Sequence, residues 1–212
     1  LKSISDKIFE KHNLELKNNF WLLVSKENLK NKDGVTKLNQ NSRYAGYDYT
    51  FNTGVSLGFF AGQSTGRYKN IGQGIYLKKD LKPFYLGTVY QHTKSKDKKN
   101  DKKFYSNDFS FIAGYNKEIG EKVFVDSNIK LTRGYISDYK YTAENDLSTR
   151  NEKTNYWNGE INTKLGYKFK YGNAFLKAGL DKDLKGNQKV VWNENIDEEI
   201  QYDDSSKNIG IG

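Results

Sequence analysis

The sequence predicts an all-β fold, an antiparallel up-and-down β-barrel that crosses a membrane, and three observations carry that expectation. Only 35% of the 212 residues are hydrophobic, yet 15% are aromatic, with 16 Tyr and 12 Phe. Disordered chains are poor in aromatics, so a mean hydropathy of -0.89 reflects alternation rather than disorder. The alternation is plain in YWNGEINTKLGYKFKYG, Tyr156 to Gly172. Trp157, Gly159, Ile161, Thr163, Leu165, Tyr167, Phe169 and Tyr171 share one face; Asn158, Glu160, Asn162, Lys164, Gly166, Lys168 and Lys170 share the other. Finally, short links (NTG, KDLK, EIGE, KYGN) alternate with longer polar ones (KENLKNKDGVTKLNQN, STGRYKN, TKSKDKKNDKK, TAENDLSTRNEKTN, NENIDEEIQYDDSS). Tight turns at one end and long charged loops at the other is the layout of an outer-membrane barrel, and a soluble sandwich has no reason to sort its loops in this way.

The elements follow in order. SISDKIFEKHN reads as a helix: Ser3 or Ser5 caps it, Ile4 and Ile8 fall on one face with Phe9 beside them, and Asn13 closes it. Residues 1–18 are therefore expected to form a linker helix, and residues 19–212 a β domain. About ten candidate strands come next: Phe20 to Ser25, Arg43 to Phe51, Val55 to Gln63, Asn70 to Lys79, Pro83 to Thr93, Phe104 to Lys117, Lys122 to Tyr141, Tyr156 to Lys170, Ala174 to Leu184 with an extension toward Trp192, and Lys207 onward.

Each face has an expected environment. Ala45, Tyr47, Tyr49 and Phe51 oppose Gly46, Asp48 and Thr50; Val123, Val125, Ile129 and Leu131 oppose Asp126, Asn128, Lys130 and Thr132. A Lys or Arg on the lipid face at mid-membrane costs roughly 2 to 4 kcal/mol, so the charged faces should line the lumen. The expected lumen set is Asp48, Asp126, Asn128, Lys130, Asn158, Glu160, Asn162 and Lys164. Tyr47, Tyr49, Phe51, Trp157, Tyr167, Phe169 and Tyr171 are expected to face lipid or form an aromatic girdle. Arg133 shares the face of Ile129 and Leu131, but lies about ten residues from a short turn, where its side chain snorkels to the interface. The strand glycines Gly46, Gly58, Gly72, Gly74, Gly87, Gly114, Gly166 and Gly179 either permit tight curvature or keep the lumen clear.

Other chemistry is excluded or weak. With no Cys there is no disulfide or thiolate site, and His12 and His92 alone make a zinc centre improbable. Neither a catalytic nor a metal site is expected, nor any cofactor. QHTKS lacks a testable triad and reads as the rim of a loop. The acids Asp197 to Glu199, Asp203 and Asp204 lack the glycine-punctuated spacing of a calcium loop. GQGIY is followed by no helix and is no dinucleotide fingerprint. The densest cluster of cations, Lys94 to Lys103 with six Lys and two Asp, holds no Arg or stacking aromatic, so despite the +9 net charge nucleic acid is not an expected partner. No Met is present and the chain begins at Leu1, so it is expected to be a processed product or a fragment.

The helix, then FWLLVSKENL, then RYAGYDYTFNTGVSLGFFAG resembles the C-terminal translocator domain of bacterial autotransporters. GQGIYLKKDLKPFYLGTVYQHT, FSFIAGYNKEIGEKVFVDSNIKLTRG and NAFLKAGLDKDLKGNQKVVWN are similar in shape to its successive hairpins, and the resemblance covers nearly the whole chain. It implies a barrel of twelve strands, about ten of them covered here, with the helix inside the pore. It further implies a monomeric barrel in the bacterial outer membrane, inserted by the barrel-assembly machinery, that assists export of a covalently linked N-terminal passenger and anchors it. The final KNIGIG is similar to the start of that family's tenth strand, so further strands are expected beyond Gly212. Some members cut themselves at an Asn-Asn pair in the helix, whereas Asn18-Asn19 abuts Phe20 and Trp21 and reads as strand entry. The alternative is a stand-alone outer-membrane barrel acting as a small pore or surface adhesin.

Overall fold

The computed structural model describes residues 17–30, 37–98, 102–142, 148–169, 172–192, 196–201 and 205–211. Apart from turns and short links, these residues are strand. Seven long strands come first: β1 (Asn18–Lys30), β2 (Lys37–Thr50), β3 (Val55–Thr65), β4 (Tyr68–Leu81), β5 (Phe84–Asp97), β6 (Lys103–Ile119) and β7 (Val123–Ile136). Two short ones, β8 (Tyr139–Thr142) and β9 (Ser148–Asn151), precede β10 (Thr154–Phe169) and β11 (Gly172–Trp192). Last come β12 (Ile196–Gln201) and β13 (Ser205–Ile211).

The sheet is an antiparallel meander. Strands β1 to β7 pair in sequence order, β7 continues to β10 and β10 to β11. Strand β13 pairs with β11 from Leu176↔Ile211 to Lys182↔Ser205, so the wall carries on beyond β11. The upper part of β11, from Asn187 to Trp192, pairs with β12, and its residues Val190 to Trp192 pair with β9, which in turn pairs with β8. A membrane-spanning barrel strand needs only about 9 to 11 residues. At 14 residues, β2, β4, β5 and β7 exceed that length.

The short turns are tight for local reasons. Gly54 (φ 73°) and Gly120 (φ 68°) supply the left-handed conformation that L residues with a Cβ rarely adopt. At the first turn, Val55 O accepts from Phe51 N at 2.7 Å and Phe51 O from Gly54 N at 2.9 Å, while the Lys79 ammonium reaches the Thr53 carbonyl. At the third, Lys168 N donates to Lys122 O at 2.6 Å, and the Lys168 side chain pairs with Glu118.

Several sequence expectations need correction at the other end. STGRYKN, read as a long link, is a connection of two residues, because β3 runs to Thr65 and β4 starts at Tyr68. TAENDLSTRNEKTN contains β9, and the acidic tract contains β12. The single strand expected over Lys122 to Tyr141 is broken between Ile136 and Tyr139 into β7 and β8. For the links that prove to hold strand the cause is common: beyond the apolar band a strand can be polar on both faces, so no hydrophobic alternation betrays it. The expected helix, with Ile4, Ile8 and Phe9, lies outside the described residues.

Burial alternates along the strands with inverted polarity. The buried face carries Ser56, Ser64, Lys78, Thr93, Ser110, Lys130, Glu160 and Lys164. The exposed face carries Phe20, Leu22, Phe59, Ile75, Phe111, Ile129, Ile161 and Leu165. Phe20 is 76% exposed while Lys130 is 1% exposed.

Candidate functional site

The buried face of the sheet has two chemically distinct regions. Over β7 and β10 it is a ladder of polar pairs in direct cross-strand register: Lys130 faces Glu160, Asn128 faces Asn162, and Asp126 faces Lys164. Lys130 Nζ lies 2.5 Å from Glu160 Oε1, with both side chains withdrawn from solvent. Asn162 Nδ2 donates to Asn128 Oδ1 at 3.4 Å, and the Lys164 ammonium stands 4.8 Å from the centre of the Phe175 ring. One step higher, Asn158 Nδ2 donates to Asp181 at 2.5 Å and to Asp183 at 3.0 Å. Buried charge is tolerated only when paired and hydrogen-bonded, and opposite charges placed directly across two strands meet that requirement without a long reach.

Over β1 to β5 the same face is aromatic, which sequence reasoning missed. Trp21, Tyr44, Phe60, Tyr76, Tyr85, Val89 and Ile112 form one buried cluster. In this cluster, and at Phe124 and Tyr156, each ring sits directly opposite a glycine. The pairs are Trp21↔Gly46, Tyr44↔Gly62, Phe60↔Gly74, Tyr76↔Gly58, Tyr85↔Gly114, Phe124↔Gly166 and Tyr156↔Gly134. The rings lie down over the neighbouring strand, in the space a Cβ would fill. A methyl group built on Gly114 would stand 2.0 Å from Tyr85 Cζ, and one on Gly134 2.0 Å from Tyr156 Cζ. At these positions the glycines neither keep the lumen clear nor merely bend the sheet: they are seats for rings. The legible signal was a glycine on a polar face opposite an aromatic.

Three tyrosines use that seat to reach a third strand. Tyr76 on β4 crosses Gly58 on β3 and donates its hydroxyl to Asp48 Oδ2 on β2 at 2.6 Å. Tyr156 on β10 crosses Gly134 on β7 and donates to Asp108 Oδ1 on β6 at 2.5 Å. Tyr85 crosses Gly114 and donates to Asp126 Oδ1 at 3.1 Å. Adjacent strands are about 4.8 Å apart, so a phenol can tie strands two apart only by passing over a residue without a side chain. Trp21 Nε1 donates to Tyr76 at 3.3 Å, bringing β1 into the same tie. Lys78, 2.6 Å from Asp80, also stands 5.0 Å from the Tyr85 ring centre, so cations and rings share this surface.

Of the residues expected in the lumen, Asp48, Asp126, Lys130, Glu160, Asn162 and Lys164 are buried, and Asn128 and Asn158 are half-buried on the same face. On the opposite face Tyr49, Phe51, Trp157, Tyr167 and Phe169 are exposed and Tyr47 is half-buried, its hydroxyl donating to Asn18 Oδ1 at 2.7 Å. Tyr171 lies outside the described residues. Ring pairs gather beside the short turns, with Tyr49 and Phe51 at 4.9 Å, Phe84 and Tyr115 at 5.3 Å, and Tyr167 and Phe169 at 5.1 Å. The Arg133 guanidinium is 5.6 Å from the Trp157 ring centre. His92, near the end of the candidate strand Pro83 to Thr93 and expected at the rim of a loop, sits well inside β5, bonded to Asn107 Oδ1 at 2.8 Å and stacked on Tyr105. Among the described residues no group of His, Asp or Glu is arranged to hold a metal ion.

Continuous antiparallel order, an apolar exposed face and a polar buried one define a membrane-type up-and-down β-barrel wall. No protein-family model and no curated protein sequence matches the chain. Among solved structures it is similar to the β domain of the Bordetella autotransporter BrkA, with a TM-score of 0.62 and 12% identity over 92% of this chain and 96% of that one. The ferric yersiniabactin uptake receptor FyuA from Yersinia pestis overlaps more loosely, with a TM-score of 0.39 and 10% identity over 91% of this chain and 38% of that one. The fold is thus that of an autotransporter β domain.

Proposed function

We propose that this chain is an outer-membrane translocator, a barrel that helps an N-terminal passenger to the cell surface and anchors it there. The observation that carries this reading is the inversion of the wall. Large hydrophobics occupy the solvent-exposed positions along the strands while Lys, Asp and Glu are buried, the reverse of a water-soluble sheet. Exposed apolar patches of more than a few hundred Å² are rare on soluble monomers, and this one runs along β1 to β11. Its natural cover is the hydrocarbon of a bilayer.

Within this reading Asp48, Asp126, Asn128, Lys130, Asn158, Glu160, Asn162 and Lys164 line the interior, and Tyr47, Tyr49, Phe51, Trp157, Tyr167 and Phe169 face lipid or its interface. The likeness to the BrkA β domain supports the export role, in which the residues before β1 would connect a passenger to the wall. An interior that is polar over β7 and β10 suits an extended or helical segment in transit, because it offers hydrogen bonds. The work of such a domain is insertion, passage and anchoring, not catalysis, and its assembly partner would be the barrel-assembly machinery.

The test is expression in a Gram-negative cell of the chain behind a secretory signal, with an epitope upstream of Leu1. The domain should fractionate with the outer membrane, and protease added outside the cell should remove the epitope. A membrane-inserted barrel whose epitope never reaches the outside would favour a stand-alone pore or adhesin, and a soluble product would overturn the membrane reading altogether.

A further inference from the structure

Acids keep to one face over much of the wall. Every Asp and Glu on β2 to β7 and β10 lies on the same side as the inward aromatics, and Asp48, Asp97, Asp108, Asp126 and Glu160 are buried there. The outward positions bear cations instead, and these crowd one patch at the long-loop ends of β4, β5 and β6. Lys69 stands directly across from Lys96, and Lys96 directly across from Lys103. Lys94 is the next outward position down β5, opposite Ile71 and Tyr105. All four lysines are exposed.

Like charges in direct cross-strand register repel, so three successive lysines in one row weaken the sheet they sit on. Asp97, the chain neighbour of Lys96, is fully buried and turned to the other face, where the Arg67 guanidinium stands 3.8 Å from it. Below the row, the same face continues as Ile71, Ile75, Tyr90 and Phe109, all exposed. Cations directly above an apolar strip match an amphiphile whose anionic groups sit at the interface and whose acyl chains lie along the strip. The Lys94 ammonium, 5.8 Å from the Tyr105 ring centre, is held over the boundary between the two.

We propose that Lys69, Lys94, Lys96 and Lys103 form a site for the phosphates of a phosphorylated glycolipid of the outer leaflet, whose acyl chains pack on Ile71, Ile75 and Tyr90. The site rests on the membrane reading above, since only a bilayer would present such a headgroup at this height. Its occupant is a lipid rather than a nucleic acid or an acidic peptide, because the patch is continuous with the lipid-facing strip.

The test uses the folded domain in detergent, titrated with lipid A carrying both phosphates or with its dephosphorylated form, bound lipid being counted by native mass spectrometry. Each cation near an anionic surface contributes about fivefold, so converting all four lysines to Gln should weaken binding on the order of 600-fold. Lys117→Gln, outward at the short-turn end, should leave binding unchanged, as should Lys94→Arg with Lys96→Arg. The parent should bind the dephosphorylated lipid no better than the fourfold variant does, and millimolar inorganic phosphate should not displace the lipid. A folded fourfold variant that retains full binding, or displacement by inorganic phosphate, would overturn the site while leaving the barrel intact. A parent that never gives the compact, heat-sensitive gel form of a barrel would overturn the membrane reading and the site together.

Discussion

At Gly134 the absence of one methyl group lets a phenol on β10 reach a carboxylate on β6. Alanine there would drive a Cβ into a ring whose tip is pinned by Asp108, so the ring has little freedom to swing aside. Overpacking of this kind costs typically 1 to 3 kcal/mol, roughly the loss expected for Gly134→Ala in urea unfolding from detergent. Truncating the ring removes the conflict. Adding Gly134→Ala to Tyr156→Ala should therefore cost much less than Gly134→Ala alone, and strict additivity in that double-mutant cycle would refute the ring-on-glycine contact. The same scale governs Lys130 and Glu160. Removing one member of a buried ion pair costs about 3 to 5 kcal/mol, so Glu160→Gln should be strongly destabilising, whereas Lys130→Met with Glu160→Leu should recover part of the loss in the same assay.

Among the elements, β10 has the most complete alternation, and its faces are open to a direct chemical test. Cysteine at Ile161 or Leu165 should react with lipid-phase probes, and at Asn162 or Lys164 with aqueous ones; the opposite pattern would refute the assignment of faces. This strand was legible because both of its faces have a distinct composition over nearly its whole length. The upper ends of β3 and β4 were not, and β9 and β12 were read as loops, while β11 was expected to extend toward Trp192. The upper ends of β3 and β4 and the whole of β9 are largely polar on both sides, and the backbone pairing that makes them strands leaves no trace in hydropathy. The aromatic seats were hidden for a different reason: a ring and its glycine lie on separate strands, and their match exists only once the strands are paired.

For the whole molecule, the net charge of +9 hides a sorting by face: over β2 to β7 and β10 the acids all turn inward, together with Lys78, Lys130 and Lys164, while the outward face joins an apolar belt to cations. A chain so arranged should stay folded only in detergent or lipid. Dilution into plain buffer should aggregate it, whereas a soluble monomer with retained β structure by circular dichroism would contradict the apolar belt. The meander was legible at this scale because alternating connections dictate sequential hairpins, and β1 to β7 pair in that order.

The ring and glycine pairs bear on how such a wall avoids assembling wrongly. Inward and outward alternation penalises a strand that slides by one residue, since every side chain changes face, but a slide by two restores the pattern and goes undetected. Matching each aromatic to one glycine removes that degeneracy. A shift of two on β3 would set Phe60 against Gly72 or Tyr76 in place of Gly74, and would change Tyr76's partner from Gly58 to Ser56 or Phe60. Folding fidelity in this sheet therefore resides in a few hydrogen atoms, those that stand where a Cβ would otherwise be.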